Sequence, residues 1–216
     1  MKRLLSLLFL AFLAGVSAQD NPDHWCRNGL FTQTGAAFTL AQVTPLVTRA
    51  YFFSDNETCP ANDCQLSSYL IPGDTVILAE HFFADFVCAW YEPENGEETV
   101  GWLRQDDLEL VAFAAEPTFD EWQGVWKDAE NTLVINESFF GEGLIIEGQA
   151  FWIGLDDTIH TGGVFGKSFP TGNKLKLFDL DYDCELELWL LDSYLIAKDN
   201  KQCGGANVTF DGIYQH

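Results

Sequence analysis

Phe178-Asp179-Leu180-Asp181-Tyr182-Asp183-Cys184-Glu185-Leu186-Glu187-Leu188-Trp189-Leu190 is the longest regular stretch of the chain. Its even-numbered positions are Phe, Leu, Tyr, Cys, Leu, Leu and Leu, while Asp179, Asp181, Asp183, Glu185 and Glu187 fall between them. Side chains of a strand point alternately to opposite faces, so a period of two predicts a strand with one buried and one acidic, solvated face. The run is long for a single strand, and a break near Asp183 would divide it. Asp179-Leu180-Asp181-Tyr182-Asp183 also has the opening spacing of a calcium loop. That loop needs glycine at its sixth position and glutamate at its twelfth, where this chain has Cys184 and Leu190. The strand reading prevails, and no metal is expected.

Outward from this stretch the pattern stays β-like. Trp122-Gln123-Gly124-Val125-Trp126 leads into short runs at Thr132 to Asn136, Gly143 to Glu147 and Ala150 to Ile153. Nearer the N-terminus the runs are Arg49 to Phe53, Ser67 to Leu70, Thr75 to Ala79, Phe86 to Tyr91 and Thr99 to Arg104. Pro72-Gly73-Asp74 and Glu94-Asn95-Gly96-Glu97 supply turns between them, proline through a preset φ and glycine through a positive one. Five short strands in about 60 residues predict a small barrel. The expected fold is all-β: a small barrel followed by a second antiparallel β domain, braced by disulfides. The joint falls between Val111 and Thr118, where small residues end in Pro117, giving units 19–115 and 116–216.

Lys2 and Arg3 precede an apolar run from Leu4 to Val16 that is too short to span a bilayer, and Val16-Ser17-Ala18 ends in small residues. Residues 1–18 therefore read as a cleaved signal peptide, with the mature chain beginning near Gln19 and no integral membrane segment left in it. The expected location is periplasmic or secreted. The whole chain carries a formal charge of −22, and loss of Lys2 and Arg3 makes it −24. Phosphate recognition needs a surplus of Lys and Arg, so nucleic acid is excluded as a partner, and an anionic membrane surface is disfavoured by the same sign. Six cysteines in an exported chain read as disulfides, although six allow 15 pairings. Cys59 and Cys64 bracket a turn-rich loop, Cys184 and Cys203 flank one segment of the second half, and Cys26 is left with Cys88. A zinc site would want further Cys or His pairs, and the sequence has none.

Arg49-Ala50-Tyr51-Phe52-Phe53, Tyr69-Leu70-Ile71-Pro72-Gly73-Asp74-Thr75-Val76, Phe86-Val87, Gly101-Trp102-Leu103 and Asp107-Leu108 together resemble the bacterial SH3-like domain of exported proteins. The shared features are an aromatic first strand, a Gly-Asp turn before a strand and a Gly-Trp-Leu strand near the end. The insertion from Cys59 to Cys64 departs from that pattern and lies beside any groove. The resemblance implies a non-enzymatic envelope protein contacting peptide or peptidoglycan through an aromatic wall, with Tyr51, Phe52, Tyr69, Trp90, Tyr91 and Trp102 as candidates. Alternation sends some of these into the core, and Trp90 and Tyr91 face opposite ways. The end of the chain, from Asp199 through Cys203-Gly204-Gly205-Ala206-Asn207-Val208 to Tyr214, resembles the closing segment of uncharacterised exported bacterial domains, which implies no function.

Signals for catalysis are weak. Asp156, Asp157 and His160 are the one carboxylate and imidazole grouping with acid/base potential, yet adjacent aspartates before Thr158 read as a solvated turn. His81 stands alone. Ser138, Ser168 and Ser193 lack a nucleophile elbow, and Gly162-Gly163-Val164-Phe165-Gly166 sits among strands rather than before a helix. No catalytic residue and no cofactor are expected. The alternative to an envelope binder is an acidic inhibitor of a basic secreted enzyme such as lysozyme, because complementary charge speeds encounter with a cationic protein.

Overall fold

The computed structural model describes residues 22–56, 58–93, 97–111, 116–129, 131–139, 141–180 and 183–216. The expected leader, the start at Gln19, the Glu94-Asn95-Gly96 turn, and Asp181 and Tyr182 lie outside them. Strands dominate, and every ladder is antiparallel. β1 (Phe38–Val43), β2 (Ala50–Phe53), β3 (Gln65–Leu70), β4 (Thr75–Phe83), β5 (Phe86–Tyr91), β6 (Thr99–Arg104) and β7 (Leu108–Leu110) form one sheet in the order β3-β2-β6-β5-β4-β1-β7. The sheet curls into a half-barrel with β3 and β7 at its edges. It has two more strands than the sequence pattern suggests, because β1 and β7 were not legible as period-two runs.

Both faces of this sheet are covered, which explains why β5 is buried from Phe86 to Trp90. Phe38, Leu40, Ile77, Ala79, Phe86, Cys88, Trp90 and Trp102 point to one apolar cluster. Their neighbours Ala41, Val43, Phe52, Val76, Leu78, Val87, Ala89 and Leu103 point to another. The segment before β1, including the short helix α1 (Phe31–Thr34), packs on the first of these faces. The Cys26–Cys88 disulfide fixes it there. Asp55 adds a polar tie, accepting from the Cys26 amide at 3.0 Å and from Arg27 Nε at 2.6 Å.

After α2 (Phe119–Trp122), β8 (Gly124–Asp128), β9 (Asn131–Glu137), β10 (Leu144–Ile153) and β11 (Ile159–Ser168) form one meander. β12 (Lys174–Asp179), β13 (Cys184–Leu191), β14 (Tyr194–Asp199) and β15 (Gly212–Tyr214) form a second. The two close on one core containing Trp122, Trp126, Leu133, Ile146, Leu188 and Phe210. One seam joins β8 to the end of the chain, through paired backbone bonds between Lys127 and Gln215 of 2.8 and 2.9 Å. At the other seam the Phe165 amide donates to Asp179 Oδ2 at 3.1 Å, and the Ser168 hydroxyl donates to the Lys176 carbonyl.

The opening stretch is a hairpin rather than one strand. Asp183 takes a positive φ of 53°, and the register sets Asp179 opposite Cys184 and Leu177 opposite Leu186. Odd positions of β12 therefore share a face with even positions of β13. Leu175, Leu177 and Asp179 are buried, while Phe178 and Leu180 are exposed, the reverse of what the unbroken alternation predicts. On β13 the acidic face is also short. Glu187 pairs with Lys174 and Lys176, and beyond it Trp189 and Leu191 are buried in the cluster that lines the first sheet.

Among the described residues no ladder crosses from the first half to the second, and residues 112–115 of the joint lie outside them. The halves nonetheless share side-chain packing. Phe38 meets Trp189 edge-on at 4.9 Å, Trp90 meets Tyr194 at 5.5 Å, and Lys198 Nζ donates to the Gln33 and Gly35 carbonyls. From Leu188 to Leu191, β13 is consequently buried on both faces. The remaining disulfides are Cys59–Cys64, in the β2–β3 connection, and Cys184–Cys203. By loop length alone, bridges closing 62 and 19 residues contribute about 4 and 3 kcal/mol.

Candidate functional site

The six aromatics expected to form one wall divide between core and surface. Phe52, Trp90 and Trp102 are 1%, 5% and 0% exposed, so all three are packed in the core and form no exposed wall. Trp102 lies under the N-terminal segment, where its indole N–H donates to the His24 carbonyl at 3.0 Å. The Trp90 indole donates to Glu98 at 2.8 Å. Tyr91 is half-buried against the opposite cluster. The reason is the covering of both sheet faces: alternation assigns each aromatic a face, but neither face is free over the sheet centre.

What remains is at the edge. Tyr51 and Tyr69 are cross-strand partners on β2 and β3 with rings 5.7 Å apart. The Arg49 guanidinium lies 4.1 Å from the Tyr69 ring centre, and its Nη1 donates to the Tyr51 hydroxyl at 3.3 Å. Beside them β3 is the terminal strand of the sheet, and Gln65, Leu66, Ser67, Ser68 and Tyr69 are all exposed. The Cys59–Cys64 loop leads directly into this strand, and the Ser54 amide donates to the Cys64 carbonyl at 3.0 Å. Sequence reasoning included Tyr51 and Tyr69 but missed Arg49 as their partner and missed the bare edge. The signal for the edge was present in the uncharged run from Gln65 to Tyr69.

A concavity lies where the halves meet, lined by Phe31, Trp90, Glu98, Asp128, Asp211 and Ile213. Burial, reinforced by Glu98 and Glu92, pushes the Asp128 carboxyl up to about 6, against the opposing pull of the Ile213 amide. Asp211 is tied to Lys201 and accepts from the Asp199 amide at 2.7 Å.

Asp156, Asp157 and His160 sit at the end of the β10–β11 hairpin. Asp156 Oδ1 accepts from the Thr158 amide at 3.3 Å, and its bonds to Thr158 hold its carboxyl below the usual range. Asp157 adopts a φ of 60°, and His160 lies beside Trp152, with ring centres 5.1 Å apart. These are the hydrogen bonds of a tight turn. His81 packs over Trp102 at 5.0 Å, and burial holds it below its usual value, opposed by the Trp25 backbone. Among the described residues no three His, Cys, Asp or Glu side chains gather into a potential metal site. No helix among them is long and apolar enough to cross a membrane, and the three disulfides fit an oxidising compartment.

The closing segment also resolves into structural roles. Asp199 is buried and accepts from the Lys201 amide at 2.8 Å and the Phe210 amide at 2.6 Å, so one carboxylate spans the Cys-Gly-Gly turn. Tyr214 donates to the Phe210 carbonyl at 2.9 Å inside the core. A scan against protein-family models and searches of curated proteins and of solved structures each returned no match.

Proposed function

We propose that the chain is a non-enzymatic binding protein of the periplasm or the secreted fraction, whose SH3-like first half takes an extended peptide, from an envelope protein or a peptidoglycan stem, along β3. The observation that carries this reading is the edge: Gln65 to Tyr69 is exposed and holds no charge. Edge strands are ordinarily guarded by Lys, Pro or a covering loop, because their unpaired backbone groups attract another strand. A guest strand gains main-chain hydrogen bonds there, and alternate side chains are read by flanking pockets. Tyr51 and Tyr69 offer rigid aromatic surface at low entropy cost, and Arg49 offers a cation for a guest carboxylate. Sedimentation of the mature protein with purified peptidoglycan, and capture by defined envelope peptides, test the reading. Ser68→Lys and Tyr69→Ala should each weaken binding about tenfold to a hundredfold. Unchanged binding in both variants would sink it.

A second reading, an acidic inhibitor of a basic secreted enzyme, is favoured by a separate observation. From residue 128 to residue 166 the chain has seven carboxylates and no Lys or Arg. The exposed end of the β10–β11 hairpin lies in that stretch.

A further inference from the structure

Three features of the hairpin end converge: apolar exposure, a fixed turn and charge of one sign. Ile153 and Ile159 face each other across the ladder and are 58% and 62% exposed, while Leu155 at the tip is fully uncovered. Phe151 lies two residues before Ile153, on the same outward face, and Trp152 and His160 take the opposite one. Scattered exposed apolar residues are ordinary, but a contiguous set at the tip of one element marks an interaction site. The turn itself is tightly bonded. The Gly154 amide donates to the Thr158 carbonyl at 2.8 Å, the Asp157 amide donates to the Gly154 carbonyl at 3.0 Å, and Asp156 caps Thr158. An element ordered before contact loses little entropy on binding.

Charge selects the occupant. Asp156 and Asp157 are exposed beside Leu155. With a formal charge of −22 on the whole chain, a second copy or an anionic polymer is repelled, whereas a cationic surface is drawn in. We propose that the hairpin end, Ile153 to Ile159, is a docking element for a protein that presents Lys and Arg side chains around an apolar recess. Leu155 enters the recess, Ile153 and Ile159 cover its rim, and Asp156 and Asp157 meet the cations. This rests on the inhibitor reading and names the part of the chain that makes the contact.

The test uses the mature protein with lysozyme and pancreatic ribonuclease as basic secreted probes and serum albumin as an acidic control, measured by biolayer interferometry. At low salt at least one basic probe should bind and albumin should not. Raising the salt to about 0.5 M, where screening acts over about 4 Å, should weaken binding at least tenfold. Leu155→Ser removes a side chain that touches nothing in the fold, and Asp156→Asn with Asp157→Asn keeps residues suited to the turn. Each should reduce affinity about tenfold, the second mainly through the association rate. Leu46→Ser, an exposed and uncharged change on the far half, should leave this binding unchanged. If a basic probe binds but the hairpin variants bind it equally well, the docking assignment falls and the inhibitor reading survives. If no basic probe binds at low salt, both fall.

Discussion

Gly204 approaches Gly162 so closely that a Cβ on Gly204 would lie 2.7 Å from the Gly162 Cα. The Gly163 amide donates to the Cys203 carbonyl and the Gly205 amide to the Thr161 carbonyl, both at 3.1 Å, so the Cys-Gly-Gly turn is stitched to β11. The Cys184–Cys203 bridge ties the same turn to β13. Gly204→Ala should therefore destabilise the protein by about 1 to 3 kcal/mol through overpacking. Gly205→Ala, whose added carbon would meet nothing nearer than 3.6 Å, should cost less than about 1 kcal/mol. Urea midpoints of the two variants measure the difference.

Asp128 makes stability depend on pH. Its carboxyl is pushed from 3.8 up to about 6, so the folded chain holds this proton more tightly than the unfolded one. The stability it contributes is complete below about pH 4 and is lost as pH rises through about 6. Asp128→Asn keeps an acceptor for the Ile213 amide. It should raise stability at pH 7.5 by about 1 to 2 kcal/mol, the figure reduced for partial solvation, and give no gain at pH 4. Thermal melts of both proteins across this range decide it.

Trp189 belongs to the second half by sequence and to the first by packing. Trp189→Ala should cost about 3 to 5 kcal/mol, and hydrogen exchange should quicken on β1 and β5 as well as on β13. Faster exchange confined to the second half would show that the shared cluster carries no coupling.

Trp102 and Tyr69 separate folding from binding. Trp102→Ala should destabilise by about 3 to 5 kcal/mol, because it empties a core site and leaves the His24 carbonyl without its donor. Tyr69→Ala should change stability by less than about 1 kcal/mol while weakening the peptide contact. Denaturant curves run beside the sedimentation assay check both halves of the statement.

Strand positions were legible where alternation or turn residues marked them. Phe86 to Tyr91 and Thr99 to Arg104 coincide with β5 and β6, and the Pro72-Gly73-Asp74 turn separates β3 from β4. β1 was not legible, because Phe38-Thr39-Leu40-Ala41-Gln42-Val43 is buried on both faces and so shows no clean period of two. The facing of Phe178 and Leu180 was lost for a different reason. A turn with an even number of residues reverses which parity points inward, and nothing in the alternation itself reports that reversal. Which aromatics reach solvent depends on what covers the sheet, and that covering comes from distant parts of the chain, the segment before β1 and the residues Trp189 to Ile196. Trp90 and Trp102 therefore look like wall residues by composition and are core residues by packing. The pairing of Arg49 with Tyr51 and Tyr69 follows from the strand order, which no local pattern contains, whereas the uncharged run from Gln65 to Tyr69 is a local signal for the β3 edge.

β13 also imposes an order of events on the growing chain. The face of the first sheet that receives Trp189, Leu191 and Ile196 is complete once β6 has been made, but those residues emerge roughly 90 residues later, on the order of ten seconds of synthesis at ordinary rates. Until they arrive, Phe38 and Trp90 keep their contacts with the segment before β1 but lack the rings of Trp189 and Tyr194. Large uncovered apolar patches favour association, so a chain that ends before Trp189 is the form of this protein most exposed to aggregation.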